Sequence, residues 1–486
     1  MRKITGFLFK THKVTGTAIA VFFLMWFITG LVLIYHPYPK VSEKLLYDKK
    51  ETLSSSLPPI STIESRTDGS IKSLSLKKFQ GQTLFSVATK DTAWTSCTDT
   101  TQEVKPVTFA TAEQVARHWI DAPIQRVDTL HKREQWVLFT KYDKELPIYK
   151  FCFDDEEKHE LFVSGKTAEV LQMTTSRQRL WAWLGAIPHK FYLPFLRRDV
   201  DVWQNTVAIV SGICLIAALT GWILGIILWI KRYRKKHVWE NPYKKHWYRW
   251  HFSFGLIFGI FLIVWAISGI FAMQRVPQWM VPMEGDYTFK TSRLWGKGIL
   301  PMKAYQLDYR KLKDAYPDLK EIEWTRYSHI PTYRIIAGQE ERLIDASGNE
   351  IKPLYIPEQT IVEGLKKIHG EVVDMKVSLL ETFDNYYLSR RVSLELPVYK
   401  IEVADANGSL YYVNPTTGYV RYLNNNKIVR KWLFNGIHYL DIDWLVTRPW
   451  LWYTCIWILC SGCLVVCVSG LVLAWKVLKP KKKKCV

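Results

Sequence analysis

At 486 residues, with 48% hydrophobic and 23% charged residues, the chain is long enough for two or three domains. Its formal net charge of +21 suggests nucleic acid at first sight, but the cations gather beside apolar runs, where topology and anionic lipid account for them, so no nucleic-acid partner is expected. Four uncharged apolar runs, 14–35, 203–230, 252–273 and 450–475, each reach the roughly 20 residues a helix needs to cross a hydrocarbon core.

The chain opens with Arg2, Lys3, Lys10 and Lys13 ahead of the first run, so 1–36 reads as a short basic terminus and a first span. That run is too long for a signal-peptide core of roughly 7–15 residues, and no A-x-A-like site follows it. It is a retained transmembrane helix. The next segment, 37–202, starts irregularly, with Ser, Thr and Lys dominating 40–75 and no regular pattern expected before residue 105. TFATAEQVARHWI (108–120) then reads as a helix, and strand-like alternation runs through ELPIYK (145–150). VSGKTAEV (163–170) is a strand–turn–strand signal with Gly at the turn. The second span, 203–230, leads into a basic loop at 231–250, and the third span follows at 251–273. Segment 274–449 repeats the α+β signals with DASGNEI (345–351), IPEQTIVEGLKKIHG (356–370), ELPVYK (395–400) and VNPTTGYV (413–420). The fourth span, 450–475, ends in a basic tail at 476–486.

The N-terminus, the 231–250 loop and the tail hold 18 Lys or Arg against one acid, Glu240. All three fall on one side of a four-span chain, which the positive-inside rule makes the cytoplasm. Segments 37–202 and 274–449 are then outward. Of eight cysteines, only Cys97 and Cys152 lie in those segments, and their spacing leaves a disulfide open. The CSGC of the fourth span resembles a redox pair but reads as small residues that let helices pack. No C-x-x-C-H is present, so covalent haem attachment is unsupported.

The two halves repeat one another. An offset of 239 places His12 on His251, Gly16 on Gly255, Trp26 on Trp265, and Thr29-Gly30 on Ser268-Gly269. ELPIYK and ELPVYK match at 250. Trp183-Leu184, His189 and Thr220-Gly221 match Trp432-Leu433, His438 and Ser469-Gly470 at 249. Each half contributes two spans, so both enter the membrane in the same direction, giving a tandem parallel repeat with a pseudo-two-fold axis along the membrane normal. His12 and His251 should then lie at one depth near the cytoplasm, and His189 and His438 at one depth on the outward side.

On a helix, residues 4 and 18 apart share a face, so His12, Gly16 and Gly30 form one stripe with Trp26 beside it. His251, Gly255, Gly269 and Trp265 repeat the stripe. The glycines serve either close helix packing or the approach of a flat group. Packing alone does not explain a histidine at the same place in both halves. Opposed imidazoles with no Cys, Asp or Glu nearby in the spans fit bis-His haem b, whereas zinc normally adds Cys or carboxylate to reach four ligands. His12 with His251 and His189 with His438 are therefore the expected axial pairs of two haems, with Gly16, Gly255, Trp26 and Trp265 serving haem or helix packing. His36, in YHPYP, is a further ligand candidate, although Arg275 stands at its repeat position; His246 reads as an interface residue. Lys190, Tyr192, Arg197, Arg198, Tyr439 and Arg448 are candidate substrate contacts near the outward pair, with interfacial snorkelling as the alternative.

This pattern resembles the PepSY-associated transmembrane proteins, which include integral-membrane siderophore reductases. The resemblance rests on H-x3-G followed by T/S-G in spans one and three, outward α+β domains with Gly-centred turns, and a histidine ahead of spans two and four. It implies an integral-membrane, α-helical four-span bundle with two outward-facing PepSY-like α+β domains in a bacterial inner membrane, the domains being periplasmic. It further implies two b-type haems, held by His12, His189, His251 and His438, and electron transfer to a ferric siderophore. Reduction to Fe(II) weakens hard-oxygen chelation. The chain carries neither a dinucleotide fingerprint nor a flavin domain, so a quinol or a cytosolic reductase is the expected donor. The alternative is a non-enzymatic envelope scaffold, or a regulator whose PepSY-like domains bind peptide or protease.

Overall fold

The computed structural model describes residues 2–64, 67, 70–98, 103–296, 298–390 and 392–479. Among the described residues, four helices are long and apolar enough to cross a membrane: Arg2–Tyr35, Val200–Lys236, His246–Met273 and Pro449–Leu478. Each contains one of the expected apolar runs and continues beyond it. At 28 residues the shortest still rises about 42 Å, more than a hydrocarbon core of roughly 30 Å. The basic tail lies outside the described residues from Pro480 onward.

Local signals set the helix ends. The second span starts where the Asp199 carboxylate accepts from the amides of Asp201 and Val202, and stops at His237 in the left-handed region. The fourth starts with Pro449 in its first turn, where a missing N–H costs nothing. The spans pack in a ring: the first touches the second and fourth, and the third touches the same two. The first and third therefore face each other across a diagonal. Their shared core includes Phe27, Ala218, Leu262, Ile263, Ile456, Cys460 and Cys463. Cys463 and its neighbours are free thiols, and a side chain at Gly462 would collide with the Phe258 ring, so the CSGC stretch serves close packing. Ile209, Ile216, Ile257, Ile458 and Val468 point outward from the ring and stay exposed, as lipid-facing positions must.

Outside the ring, two four-stranded antiparallel sheets have the same strand order. One comprises Ile124–Leu130, Ile148–Phe153, Glu160–Ser164 and Val170–Thr174; the other comprises Met375–Leu380, Val398–Val403, Leu410–Val413 and Val420–Leu423. A helix accompanies each, Phe109–Trp119 and Glu358–His369, within two residues of the helical patterns in the sequence. Thr108 and Thr111 close the first of these with a reciprocal cap. Gly418, at φ +61° in the VNPTTGYV turn, approaches the Trp295 ring too closely for any side chain.

A third sheet corrects the expectation of irregular chain before residue 105. Ser73–Phe79, Gln82–Ala88 and Ala93–Cys97 are strands, and the first pairs with Leu319–Tyr327 of segment 274–449, Leu74 opposite Trp324 and Lys77 opposite Glu321. With Ile330–Ala337, Glu340–Asp345 and Lys352–Pro353 they complete a seven-stranded antiparallel sheet drawn from both segments. Its core holds Leu74, Leu76, Phe85, Ile322, Trp324 and Tyr333. In Ser73–Phe79, buried Leu74 and Leu76 alternate with Ser and Lys because only alternate positions face that core, and the partner strand, some 250 residues away, leaves no local trace. Cys97, in this sheet, and Cys152 are both free thiols.

Candidate functional site: two histidine pairs in the bundle

The first and third spans present His12 and His251 to each other, with ring centroids 6.1 Å apart and planes tilted by 31°. Toward the opposite end of the bundle, His189 and His438 face each other with centroids 6.0 Å apart and planes at 65°. His189 rides on a short helix, Ala186–Lys190, that begins at Gly185 and lies against the first span. His438 follows a π-helical turn, Lys431–Gly436, packed on the third span. Thr29, which touches His189, lies 17 residues beyond His12, so the two pairs sit about 25 Å apart along the helix axis.

Each imidazole is held by its Nδ1. His12 Nδ1 donates to the Ala217 carbonyl at 2.9 Å, His251 Nδ1 to the Val466 carbonyl at 3.2 Å, and His189 Nδ1 to the Trp26 carbonyl at 3.1 Å. A carbonyl cannot donate, so the proton in each bond belongs to the ring. His438 Nδ1 lies 2.8 Å from the Ser268 hydroxyl, whose own proton goes to the Trp265 carbonyl at 2.7 Å. That hydroxyl therefore accepts as well. Ser469 stands in the same way beside His251, and Thr29 beside His189, each with its proton committed to its own helix. All four rings are thus set in the tautomer that carries the lone pair on Nε2, the form in which imidazole binds a metal; donation from the other nitrogen is the usual support of such a ligand.

Two imidazoles binding one metal from opposite sides, with metal–nitrogen bonds of about 2 Å, place their ring centroids roughly 6 Å apart. Both pairs meet that spacing. Among the described residues no group of three or more His, Cys, Asp or Glu side chains is placed to hold a metal. Each pair can supply two imidazole ligands, so the rest of any bound metal's coordination sphere has to come from outside these side chains.

A cavity of about 350 Å³ opens at the His12–His251 pair and is lined by both histidines with Gly16, Gly221, Gly255 and Gly470. That is within the size range of small-molecule sites. Gly255 has nothing within 4 Å of where a Cβ would be, and Gly16 meets only its own His12 at 3.9 Å, so both keep space open rather than seat a neighbouring helix. Gly221 and Gly470 do the second job. A Cβ at Gly221 would overlap the His12 ring, and one at Gly470 would come within 3.2 Å of His251 Cε1. Gly30 seats His189 in the same manner, at 3.1 Å. In the sequence, Gly221 and Gly470 mark only the repeat; no feature along one helix says that the next helix carries the imidazole's seat.

Residues 9–298 match the family model of the PepSY-associated TM region, 290 of the 486 residues. This chain belongs to the PepSY-associated transmembrane family. It is a multi-pass membrane protein with β-sheet domains beside its spans. The matched region includes His12, His189 and His251, while His438 lies beyond it. Comparison with curated proteins gives no match.

The other candidate residues of this family member divide. Trp26 and Trp265 belong to the His189–His438 pair: Trp26 supplies the carbonyl to His189, and Trp265 Nε1 donates to the His438 carbonyl at 3.3 Å. Lys190, Tyr192 and Arg197 gather around Trp203, whose Nε1 donates to the Lys190 carbonyl and whose ring carries the Arg197 guanidinium at 4.3 Å. Tyr439 stacks edgewise on His438 at 5.0 Å, and its carbonyl accepts from Trp452. Arg198 and Arg448 are exposed, Arg448 bonding the Trp444 carbonyl. His36 stacks on Trp181 at 4.1 Å and joins neither pair. His246 is exposed beside Trp250.

Proposed function

We propose that the two histidine pairs are the axial ligands of two b-type haems, and that the chain carries electrons across a bacterial inner membrane to reduce a ferric siderophore on the periplasmic side. The observation that carries this reading is the recurrence, near each end of one bundle, of opposed imidazoles about 6 Å apart with Nδ1 tied to the protein. Haem bound there supplies reversible one-electron chemistry at a potential set by its axial ligands and surroundings. The chain's own part is structural. His12 and His251 would hold one group and His189 and His438 the other; Gly221, Gly470 and Gly30 seat the rings; Ser268, Ser469, Thr29 and three backbone carbonyls hold the tautomer. Phe27, Leu262, Ile263 and Ile456 keep water from the bundle between the pairs.

The tandem parallel repeat belongs to the same proposal. The seats recur at its two offsets: Ala217 and Val466 serve His12 and His251, and Thr29 and Ser268 serve His189 and His438. The charge pattern supports cytoplasmic termini and domains on the opposite, periplasmic face; with neither a dinucleotide fingerprint nor a flavin domain in the sequence, the proposed donor is a quinol or a cytosolic reductase. An absorption spectrum of the purified protein is the test: a Soret band with dithionite-dependent α-bands and about two haems per chain is expected. A colourless preparation that takes up no added haem would sink the reading in favour of the scaffold or regulator role.

A further inference from the structure

Beside the His189–His438 pair the two halves differ at several positions, and at one set of three the second half gains charge. In the first half, His36 stacks on Trp181, with Gln178 one turn earlier. The equivalent positions of the second half are Arg275, Arg430 and Lys427. An aromatic stack and an amide are thus replaced by three Lys or Arg side chains. Arg275 covers the Tyr287 ring at 4.4 Å, and the Lys427 ammonium lies 5.2 Å from the same ring and 4.7 Å from that of Tyr422. Arg430 donates to the carbonyls of Phe271, Ala272 and Gln274 at the end of the third span. Lys427 donates to the Tyr422 carbonyl at 3.3 Å. Among the described residues no carboxylate pairs with any of the three. Burial, then the Arg430 and Arg275 charges, push the Lys427 ammonium down to about 8.

Three cations gathered with carbonyls and ring faces but no carboxylate repel one another, and an anion from outside the chain would relieve that repulsion with all three still charged. The cluster also adjoins the redox site. The Arg430 guanidinium lies 5.8 Å from the Phe434 ring, and that ring lies 5.5 Å from His438. Trp279, 84% exposed, lies four residues beyond Arg275, just past the end of the third span.

We propose that Arg275, Lys427 and Arg430 form an oxyanion site on the outward face, and that the ferric chelate reduced there is an anionic one bearing carboxylate or catecholate oxygens. The second half of this statement rests on the reductase reading; the first does not. Arg430 also caps a helix, so the test uses Arg275→Gln, at an exposed position, and Lys427→Met, which keeps the stem and relieves the repulsion. Full-length protein in a neutral maltoside detergent is titrated with ferric citrate by calorimetry. Saturable binding is expected, weakened tenfold or more in each variant, while a ferric trihydroxamate of net positive charge shows no difference between variants and wild type. Equal affinity for ferric citrate in all three proteins overturns the oxyanion site. A repeat in nanodiscs with and without phosphatidylglycerol separates the sources. Should that lipid abolish citrate binding in wild type, the occupant is a headgroup and the chelate assignment falls. His438→Ala is expected to lose haem and keep citrate binding. A chain that binds citrate but never haem refutes the reductase alone, and a haem-loaded chain indifferent to both substitutions refutes the oxyanion site alone.

Discussion

Gly221→Ala is a one-carbon change that tests the seat of a single imidazole. A Cβ at this position would stand 2.6 Å from His12 Nδ1 and closer still to Cε1, whereas ordinary contact begins at 3.4 Å. The ring must therefore withdraw by about 1 Å, set by the nearer Cε1, which exceeds the roughly 0.5 Å within which a binding constellation has to be held. Withdrawal also strains the 2.9 Å bond to the Ala217 carbonyl one turn away, which sets the tautomer. The helix itself gains from alanine by about 1 kcal/mol, so the variant should fold and insert. The expected result is about one haem per chain by pyridine haemochrome, against about two in wild type, with the remaining spectrum that of the outward pair. Gly470→Ala calls for only about 0.2 Å of give at His251, from 3.2 Å, and should keep both haems. Gly212, on the same span as Gly221, has nothing within 4 Å, so Gly212→Ala should be silent. Two haems and an unaltered spectrum in Gly221→Ala would refute the assignment of His12.

Two further outcomes follow from the same geometry. Ser268→Ala removes the hydroxyl that accepts from His438 Nδ1 at 2.8 Å; loss of such a support typically weakens metal affinity 10–100-fold, so haem transfer to apomyoglobin should speed at least tenfold for one haem of the two, and equal rates would count against the pairing. Trp324→Ala empties the centre of the bridging sheet, where the ring is 2% exposed, and should destabilise the outward region by about 3–5 kcal/mol in a denaturant melt while the Soret band persists; an unchanged midpoint would show that the sheet is not a cooperative unit.

Much of the site is legible along the chain because hydropathy and recurrence are properties of the sequence itself. Four apolar runs announce four spans, and His12, His189, His251 and His438 stand out because each recurs at a constant offset rather than because any one is unusual. The helical signals at 108–120 and 356–370 are equally local: spacing of apolar positions and, at the first, a capping threonine. Trp26 and Trp265 stand out by the same recurrence but belong to the outward pair, because the stripe they share with His12 and His251 runs the length of the helix and says nothing about depth of contact.

What tertiary structure alone decides lies between elements. Whether Gly16 or Gly221 meets the His12 ring depends on how two helices cross, and the 3.6-residue period of either one contains no record of the other. The pairing of Leu74 with Trp324 joins strands some 250 residues apart, and a strand's alternation reports which face is buried, not which strand lies beside it. The gathering of Arg275, Lys427 and Arg430 is of the same kind: three ordinary cations in the sequence, brought to one place only when the third span ends against the helix that carries Lys427.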